Sequence, residues 1–125
     1  MLVQKIPNAE LKVMKFIWEK NDIVTSKNII EAMELKEDWK ATTTLTILSR
    51  LVNKRFLKSE KIERISHYEI LVTKKAYKVF ATKKFLNEIH SNSIESFISS
   101  LEYILSEDEL VEFANYLNKL KSTLD

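Results

Sequence analysis

The chain has 125 residues, of which 45% are hydrophobic and 30% are charged, and its formal net charge at pH 7 is +2. This composition predicts a soluble, folded chain of one domain or two small ones rather than a disordered chain. The sequence contains no cysteine and two histidines, and it shows neither a signal-peptide pattern nor an apolar run of the ~18 residues that span a bilayer. We therefore expect a cytoplasmic protein without disulfides, a bound metal or a cofactor.

The first third of the chain predicts two short helices. Asn8 is predicted to cap a first helix whose apolar residues cover more than half of its circumference, so this helix should be largely buried. A brief β-prone segment, Ile23 to Thr25, follows it. Ser26 is then predicted to cap a second helix from Lys27 to about Leu35.

The third helix, predicted within the run from Ala41 to Arg55, has an unusual polar face. At about 100° per residue, one arc of the helix holds small hydroxyl or amide side chains and an arginine, where a solvated helix usually carries Glu and Lys pairs. These residues are Thr42, Thr43, Thr46, Ser49, Arg50 and Asn53. The opposite arc is apolar and holds Leu45, Ile47, Leu48, Leu51 and Val52. Short hydrogen-bonding side chains without carboxylates suit a helix that enters a DNA major groove. The alternative is an ordinary amphipathic helix with threonines near its N-terminus.

Two β-prone segments after this helix predict a hairpin, which in this position is the wing of a winged helix-turn-helix. They extend from Phe56 to Ile62 and from Ser66 to Val72, with a charged tip between them. Cations on such a ribbon can reach phosphates or the minor groove beside the helix. They are Lys58, Lys61 and Arg64. The alternative is a surface hairpin whose charges only keep its edges soluble.

The rest of the chain predicts three helices with apolar stripes. A connector runs from Thr73 to about Ser91, Asn92 or Ser93 caps the next helix, and Ser106 with Glu109 matches a capping box for the last. Segments this small do not easily close a core alone, so the stripes of the last two helices should meet a second chain. The expected dimer interface is Phe97, Leu101, Leu105, Leu110, Phe113, Leu117 and Leu120. The alternative is that these helices dock back onto the first part of the chain.

The balance of basic and acidic residues also changes near the start of the connector helix. Residues 1–75 hold 15 basic and 10 acidic residues, whereas residues 76–125 hold 5 and 8. This polarity fits a nucleic-acid-binding module joined to one that does not bind nucleic acid. We expect a mainly α fold with a small β wing, in which residues 1–73 form a winged helix-turn-helix DNA-binding domain and residues 74–125 a C-terminal helical dimerisation domain.

Several short motifs together carry a family resemblance. They are Ala9-Glu10 to Met14 leading into Ile17-Trp18, Ser26 to Ile29, Trp39 ahead of Thr43 and Thr46, Arg50-Leu51, Lys54 and Tyr68. With a wing, this spacing resembles the penicillinase and methicillin-resistance repressors and their copper-regulated relatives over nearly the whole chain. The resemblance implies a homodimeric repressor on palindromic operators of β-lactamase or resistance genes. It also implies a membrane sensor that detects β-lactam and triggers proteolysis of the repressor.

The chain departs from that family pattern in several places. Positions 42 and 45, often charged or amide in relatives, are Thr42 and Leu45, which implies a different base preference. Arg55 stands where the family usually has a glycine, so the helix must end differently or be strained. The cysteines that bind metal in the copper-regulated members are absent, which argues against metal sensing. The Asn-Phe bond associated with proteolysis aligns roughly with Ser100-Leu101, so the candidate cleavage region is Ser99, Ser100 and Leu101.

The functional hypothesis is therefore a DNA-binding transcriptional repressor that acts as a dimer on a two-fold operator of double-stranded DNA. Thr42, Thr43 and Thr46 are the expected base contacts. The expected groove or phosphate contacts are Lys40, Ser49, Arg50, Asn53, Lys54, Lys58 and Arg64. Trp18 and Trp39 are expected to pack, and the alternative for Trp39, just ahead of the third helix, is contact with the DNA sugar and backbone. The alternative is a protein-interaction module that uses the threonine face. An enzyme is the weakest hypothesis, because no nucleophile, histidine partner or phosphate loop accompanies the carboxylates.

Overall fold

The computed structural model describes residues 3–124, which form two compact units. One unit ends at Ala81 and the other begins at Thr82, so the division lies within the fourth helix, whereas the sequence indicates a boundary at residue 73. The elements are α1 (Asn8–Lys20), β1 (Val24–Thr25), α2 (Ser26–Glu37), α3 (Ala41–Asn53), β2 (Leu57–Ile62), β3 (Ile65–Ile70), α4 (Lys74–His90), α5 (Ile94–Leu101) and α6 (Glu107–Leu124). None of the helices in residues 3–124 is long and apolar enough to span a membrane.

The helix starts of α1 and α2 each differ by one residue from the prediction. Pro7, with a φ of −63°, is the N-cap of α1, so Asn8 is the first helical residue. Thr25 caps α2, because its Oγ1 accepts the Asn28 N–H at 3.2 Å while the Asn28 side-chain oxygen accepts the Thr25 N–H at 3.3 Å. Asn28 supplies the acceptor that Glu or Gln gives in the usual capping box. Ser26 is therefore inside the helix instead of capping it.

The first unit has one apolar core between its helices and an antiparallel sheet of order β1-β3-β2. In that sheet Val24 is opposite Tyr68 and Leu57 is opposite Ile70. The fully buried apolar side chains come from α1, α2, α3 and the start of β2: Val13, Met14, Ile17, Ile29, Met33, Leu48, Leu51, Phe56 and Leu57. Each contributes roughly 1.5–3 kcal/mol relative to exposure, so this unit has a closed apolar core of its own.

Two aromatic side chains tie the start of α4 to this core. The Trp18 indole N–H donates to the Val72 carbonyl at 2.9 Å, and the Ile6 N–H donates to the Tyr77 hydroxyl at 3.0 Å. The rings of Trp18 and Tyr77 lie 5.8 Å apart. Trp39 is half-buried against the same core. The predicted packing roles of both tryptophans are thus confirmed.

The end of α3 shows how a chain without glycine makes the turn in question. Arg55 has a φ of +62° and therefore adopts the left-handed conformation itself. The Arg55 N–H donates to the Val52 carbonyl at 3.0 Å, and the Phe56 N–H donates to the Leu51 carbonyl at 2.9 Å. This pair of bonds is the Schellman motif, and both Leu51 and Phe56 are fully buried beside it. The helix ends as it would with a glycine, at the energetic cost of a left-handed arginine.

The hairpin is tighter than predicted. Ile62 pairs with Ile65, so the tip contains only Glu63 and Arg64, whose φ values are +51° and +70°. Positive φ at both central residues is the signature of the type I′ turn that matches the twist of a two-residue hairpin. The predicted three-residue tip was therefore one residue too long, because Ile65 belongs to β3.

The second unit holds one buried side chain among its described residues, that of His90. His90 Nδ1 lies 2.9 Å from the Ser96 hydroxyl, and the His90 ring makes edge contacts with Phe85 at 5.1 Å and Phe97 at 5.5 Å. α4 ends at His90, one residue before the predicted end, and Ser93 caps α5 by accepting the Ser96 N–H at 3.1 Å. This cluster organises the corner between α4 and α5.

The last helix begins as the sequence predicts. The Glu109 carboxylate accepts the Ser106 N–H at 2.9 Å, and the Ser106 hydroxyl accepts the Glu109 N–H at 3.2 Å, which completes the capping box. No side chain of α5 or α6 is buried. The expected interface residues are all partly or largely exposed: Phe97, Leu101, Leu105, Leu110, Phe113, Leu117 and Leu120.

Candidate nucleic-acid interface

One face of α3 is free of carboxylates and exposed along the whole helix. The side chains predicted to form it are all exposed: Thr42, Thr43, Thr46, Ser49, Arg50 and Asn53. The opposite face packs into the core through Thr44, Ile47, Leu48 and Leu51. Those four residues follow the i, i+3, i+4, i+7 spacing of a buried helical stripe. α3 therefore presents a polar surface of short side chains from a rigid support.

Leu45 is the exception to the predicted division of α3. The sequence places Leu45 on the packing arc, but 43% of it is exposed, and Thr44 occupies the centre of the buried face. Leu45 lies one position beyond the stripe that starts at Thr44, so it falls at the edge of the polar face beside Thr42 and Ser49. Its exposed isobutyl group adds an apolar contact point to that surface, of the kind that meets a thymine methyl group.

Hydrogen bonds within α3 determine whether each threonine hydroxyl can donate or only accept a hydrogen bond from DNA. The Thr46 hydroxyl donates to the Thr42 carbonyl at 2.9 Å, which uses its only proton and leaves the oxygen lone pairs and the methyl group facing outward. Thr46 is therefore prepared to accept a hydrogen bond, for example from an adenine or cytosine amino group. The Thr42 and Thr43 hydroxyls have no partner among the described residues and can either donate or accept.

In the described part of the chain, two cations of α3 and its N-cap have free charges, whereas a third, Lys54, is paired and is discussed below. Arg50 and the N-cap residue Lys40 make no ion pair within residues 3–124 and are exposed. Lys40 stands at the N-terminus of α3, where no side-chain cap satisfies the first N–H groups and the positive end of the helix dipole favours anions. Trp39 lies next to it in a shallow concavity that also contains Glu34 and Asp38. A phosphate can approach this end of α3 from the Lys40 side.

Lys54 departs from the predicted set of phosphate contacts. Its Nζ lies 2.5 Å from the Glu10 carboxylate, whose side chain is only 3% exposed, while 25% of the Lys54 side chain is exposed. A buried carboxylate holds its cation strongly, because separation would leave an uncompensated charge in the protein interior. Lys54 is thus engaged in an ion pair inside the protein, which makes it a weaker candidate for a direct phosphate contact than Lys40 or Arg50.

The wing separates its cations by face. Leu57 enters the core at the start of β2. Because side chains alternate along a strand, Ser59 and Lys61 lie on the same face of β2 as Leu57, and Lys58 lies on the opposite, outward face. Beyond Leu57 both faces of the strand are exposed. Lys58 is directly opposite Glu69 on β3, and Glu60 follows on the same face, so its charge is partly compensated. Lys61, opposite the neutral Ser66, is the stronger candidate.

Arg64 keeps its predicted place at the exposed tip of the hairpin, where it has no partner among the described residues. Lys61 is one of the predicted wing cations, but the predicted DNA contacts include Lys58 and Arg64 and leave Lys61 out. The signal that separates the two was present in the sequence, because the odd spacing from a buried Leu57 puts Lys58 on the opposite face.

Comparison with known proteins agrees with this geometry. The family described as penicillinase repressor matches residues 6–119. The methicillin resistance regulatory protein MecI of Staphylococcus aureus strain N315 is 34% identical over 119 residues, which cover 92% of this chain and 94% of that protein. The penicillinase repressor of Bacillus licheniformis is 28% identical over 124 residues, covering 96% and 94% of the two chains.

A solved structure resembles part of this chain. The solution structure of Bacillus licheniformis BlaI in its monomeric form, in complex with the blaP half-operator, has a TM-score of 0.52 and 29% sequence identity. It covers 61% of this chain and 92% of the BlaI chain. The shared fold is a winged helix with DNA-binding relatives, and members of the matched family are transcriptional repressors, not enzymes. The chain belongs to the penicillinase repressor family.

Proposed function

We propose that this protein is a cytoplasmic transcriptional repressor that binds a palindromic DNA operator as a homodimer, with one α3 helix in each of two major-groove half-sites. The observation that carries the proposal is the exposed, carboxylate-free face of α3. A relative whose structure contains a half-operator supports it. Half-sites one helical turn apart would match the two-fold symmetry of such a dimer.

In this proposal some residues of α3 contact base edges and others contact the groove wall or phosphates. Thr42, Thr43 and Thr46 contact base edges, because their short side chains let the helix backbone approach the groove floor. Ser49, Arg50 and Asn53 lie further along the same face and contact the groove wall or phosphates. Thr46 acts as an acceptor, since its hydroxyl proton is held by Thr42.

Phosphate contacts on either side of the helix fix its register. Lys40 binds one strand at the N-terminus of α3, where the helix dipole adds to its charge. Lys61 and Arg64 reach the backbone or minor groove from the wing, and Lys58 contributes less because Glu69 faces it. Such contacts supply affinity without sequence preference and make binding salt-dependent.

The homodimer is supported by the apolar stripes of α5 and α6. None of their side chains is buried, although Phe97 and Leu101 in α5, and Leu110 and Leu117 in α6, lie at helical spacing. A second copy of the same stripes would cover them and hold two first units at a fixed separation. Each half-site alone is a weak ligand, so pairing raises operator affinity by a large factor.

We further propose that the genes controlled are β-lactamase or methicillin-resistance genes and that proteolysis relieves repression. The functions named for the relatives support the first part. The second part, which requires a protease of a membrane sensor system, is supported by the exposure of Ser99 and the partial exposure of Ser100 and Leu101 in the short helix α5. A cut there would detach α6. Masses of the repressor recovered from induced cells would show whether the chain is cleaved.

The DNA-binding proposal is tested with gel shifts on a palindromic duplex and a scrambled duplex at two salt concentrations. Thr46→Ala should relax discrimination at one base pair, at a cost of about 1–3 kcal/mol on the preferred sequence. Lys61→Ala should weaken both duplexes alike and reduce the salt slope by about one.

Lys58→Ala is the matched control, because it removes the same charge from the outward face of the same strand. It should change affinity less than Lys61→Ala. Binding by the unmodified protein that ignores both salt and sequence would contradict the proposal and favour a protein-interaction role for the threonine face.

A further inference from the structure

A buried ion pair connects α1 with the end of α3. Glu10 lies in the first turn of α1, and its carboxylate is 2.5 Å from the Lys54 ammonium at the C-cap of α3. Only 3% of the Glu10 side chain is exposed. The pair therefore bridges two helices that are far apart in sequence, at a point where the Glu10 carboxylate is shielded from water.

The chemistry of the pair suits a role in orienting the two helices better than a role in stabilising the fold. Two charges removed from water lose solvation, and an apolar pair of similar volume often stabilises a protein as well or better. An apolar pair tolerates sliding, whereas the Glu10 charge is satisfied only when the Lys54 ammonium stays within hydrogen-bonding reach. The pair thus restricts how the last turn of α3 lies on α1.

The restricted turn carries part of the candidate interface. The Lys54 N–H donates to the Arg50 carbonyl at 2.9 Å, so the residue held by Glu10 is joined directly to a proposed DNA contact. Asn53, another proposed contact, precedes Lys54 in the chain. A small rotation of this turn would displace both side chains from their places in the groove.

We propose that Glu10 and Lys54 are positioning residues, which fix the orientation of the last turn of α3 and thereby set its discrimination between operator and other DNA. Lys54 acts through Glu10 and Arg50 and does not itself contact a phosphate. This inference rests on the proposed DNA-binding function and goes beyond it by assigning specificity to a pair of residues that lies behind the interface.

The test compares two variants of the full chain with the unmodified protein. Lys54→Met leaves Glu10 buried without its cation and should lower the melting temperature. The double variant Glu10→Leu/Lys54→Met removes both charges, leaves the net charge unchanged, and should restore the melting temperature. Affinity is measured for an operator duplex and a scrambled duplex at two salt concentrations.

The proposal expects the double variant to bind the scrambled duplex as the unmodified protein does, with the same salt slope. Its preference for the operator should fall roughly tenfold, the size of one mismatched base pair. A matched control is Lys12→Met/Glu37→Leu, which removes an ion pair of the same composition and 2.5 Å length between α1 and α2. That pair is more exposed, and its removal should leave operator preference unchanged.

Two results would overturn the inference while leaving the proposed function intact. A salt slope reduced by about one in both Lys54 variants would mean that Lys54 contacts a phosphate directly. Full recovery of operator preference in the double variant would mean that the pair only stabilises the fold. Absence of any operator preference in the unmodified protein would instead reject the proposed function itself.

Discussion

The two units of this chain are made of similar amphipathic helices, but among the described residues only the first unit has a buried apolar core. α3 in the first unit buries Ile47, Leu48 and Leu51 completely or nearly so. α6 in the second unit matches the i, i+3, i+4, i+7 pattern of the buried face of α3 with its own apolar residues but buries none of them: Leu110, Phe113, Ala114 and Leu117. An apolar stripe therefore indicates that a helix face should be covered, but it does not indicate whether the same chain covers it.

The difference assigns separate tasks to the two units. A unit with a closed core can hold a recognition surface rigidly, as binding to a groove requires. A unit with open stripes gains stability only when a partner covers them, which makes its association dependent on concentration and sensitive to damage. The proposed repressor would combine a fixed reading surface with a separable connection between two copies.

The largest expected effect tests the closed core. Leu48→Ala removes a fully buried side chain and should lower the free energy of unfolding by about 2–5 kcal/mol, because a cavity remains where the isobutyl group was. Leu117→Ala is the matched control at an exposed position. Urea unfolding at a concentration where the chain is monomeric should give a loss of less than about 1 kcal/mol for it. Equal losses of unfolding free energy would mean that Leu117 is as well buried in the monomer as Leu48.

A charge on the open stripe tests the connection between copies. Leu117→Asp would put an unpaired carboxylate into the proposed interface, at a cost of several kcal/mol. Sedimentation should show a monomer, and operator affinity should fall by roughly 100-fold while the first unit stays folded. Asn118→Asp introduces the same side chain at the next position and should leave the dimer intact. An undiminished Leu117→Asp dimer would show that α6 packs elsewhere.

The smallest expected effect concerns the turn between α3 and the wing. Arg55 has a φ of +62°, a conformation that favours glycine. Arg55→Gly should raise the free energy of unfolding by up to about 1 kcal/mol, because relief of left-handed strain exceeds the extra entropy of glycine in the unfolded chain. Arg55→Val should lower it by a similar amount or more, since a β-branched residue fits this conformation poorly. Thermal melts of the two variants in opposite directions would support this account.

Much of the architecture could be predicted from local sequence alone. The order of helices and strands, the exposed threonine face of α3, and the capping box of Ser106 and Glu109 all depend on residues within a few positions of one another. The periodicity of helices and strands and the capping of helix ends are short-range effects, so neighbouring residues are enough to predict them. The family resemblance rested on the same elements taken together.

Other features were decided only when distant segments met. The ion pair of Lys54 joins it to Glu10, 44 positions away in the sequence, because packing buries the Glu10 carboxylate beside it. Leu45 became exposed because the core contacts α3 along the face centred on Thr44. Arg55 adopted a left-handed conformation because the burial of Leu51 and Phe56 outweighs the strain of the turn. Burial, ion pairing and tolerated strain depend on which surfaces exclude water from each other, and tertiary packing determines those surfaces.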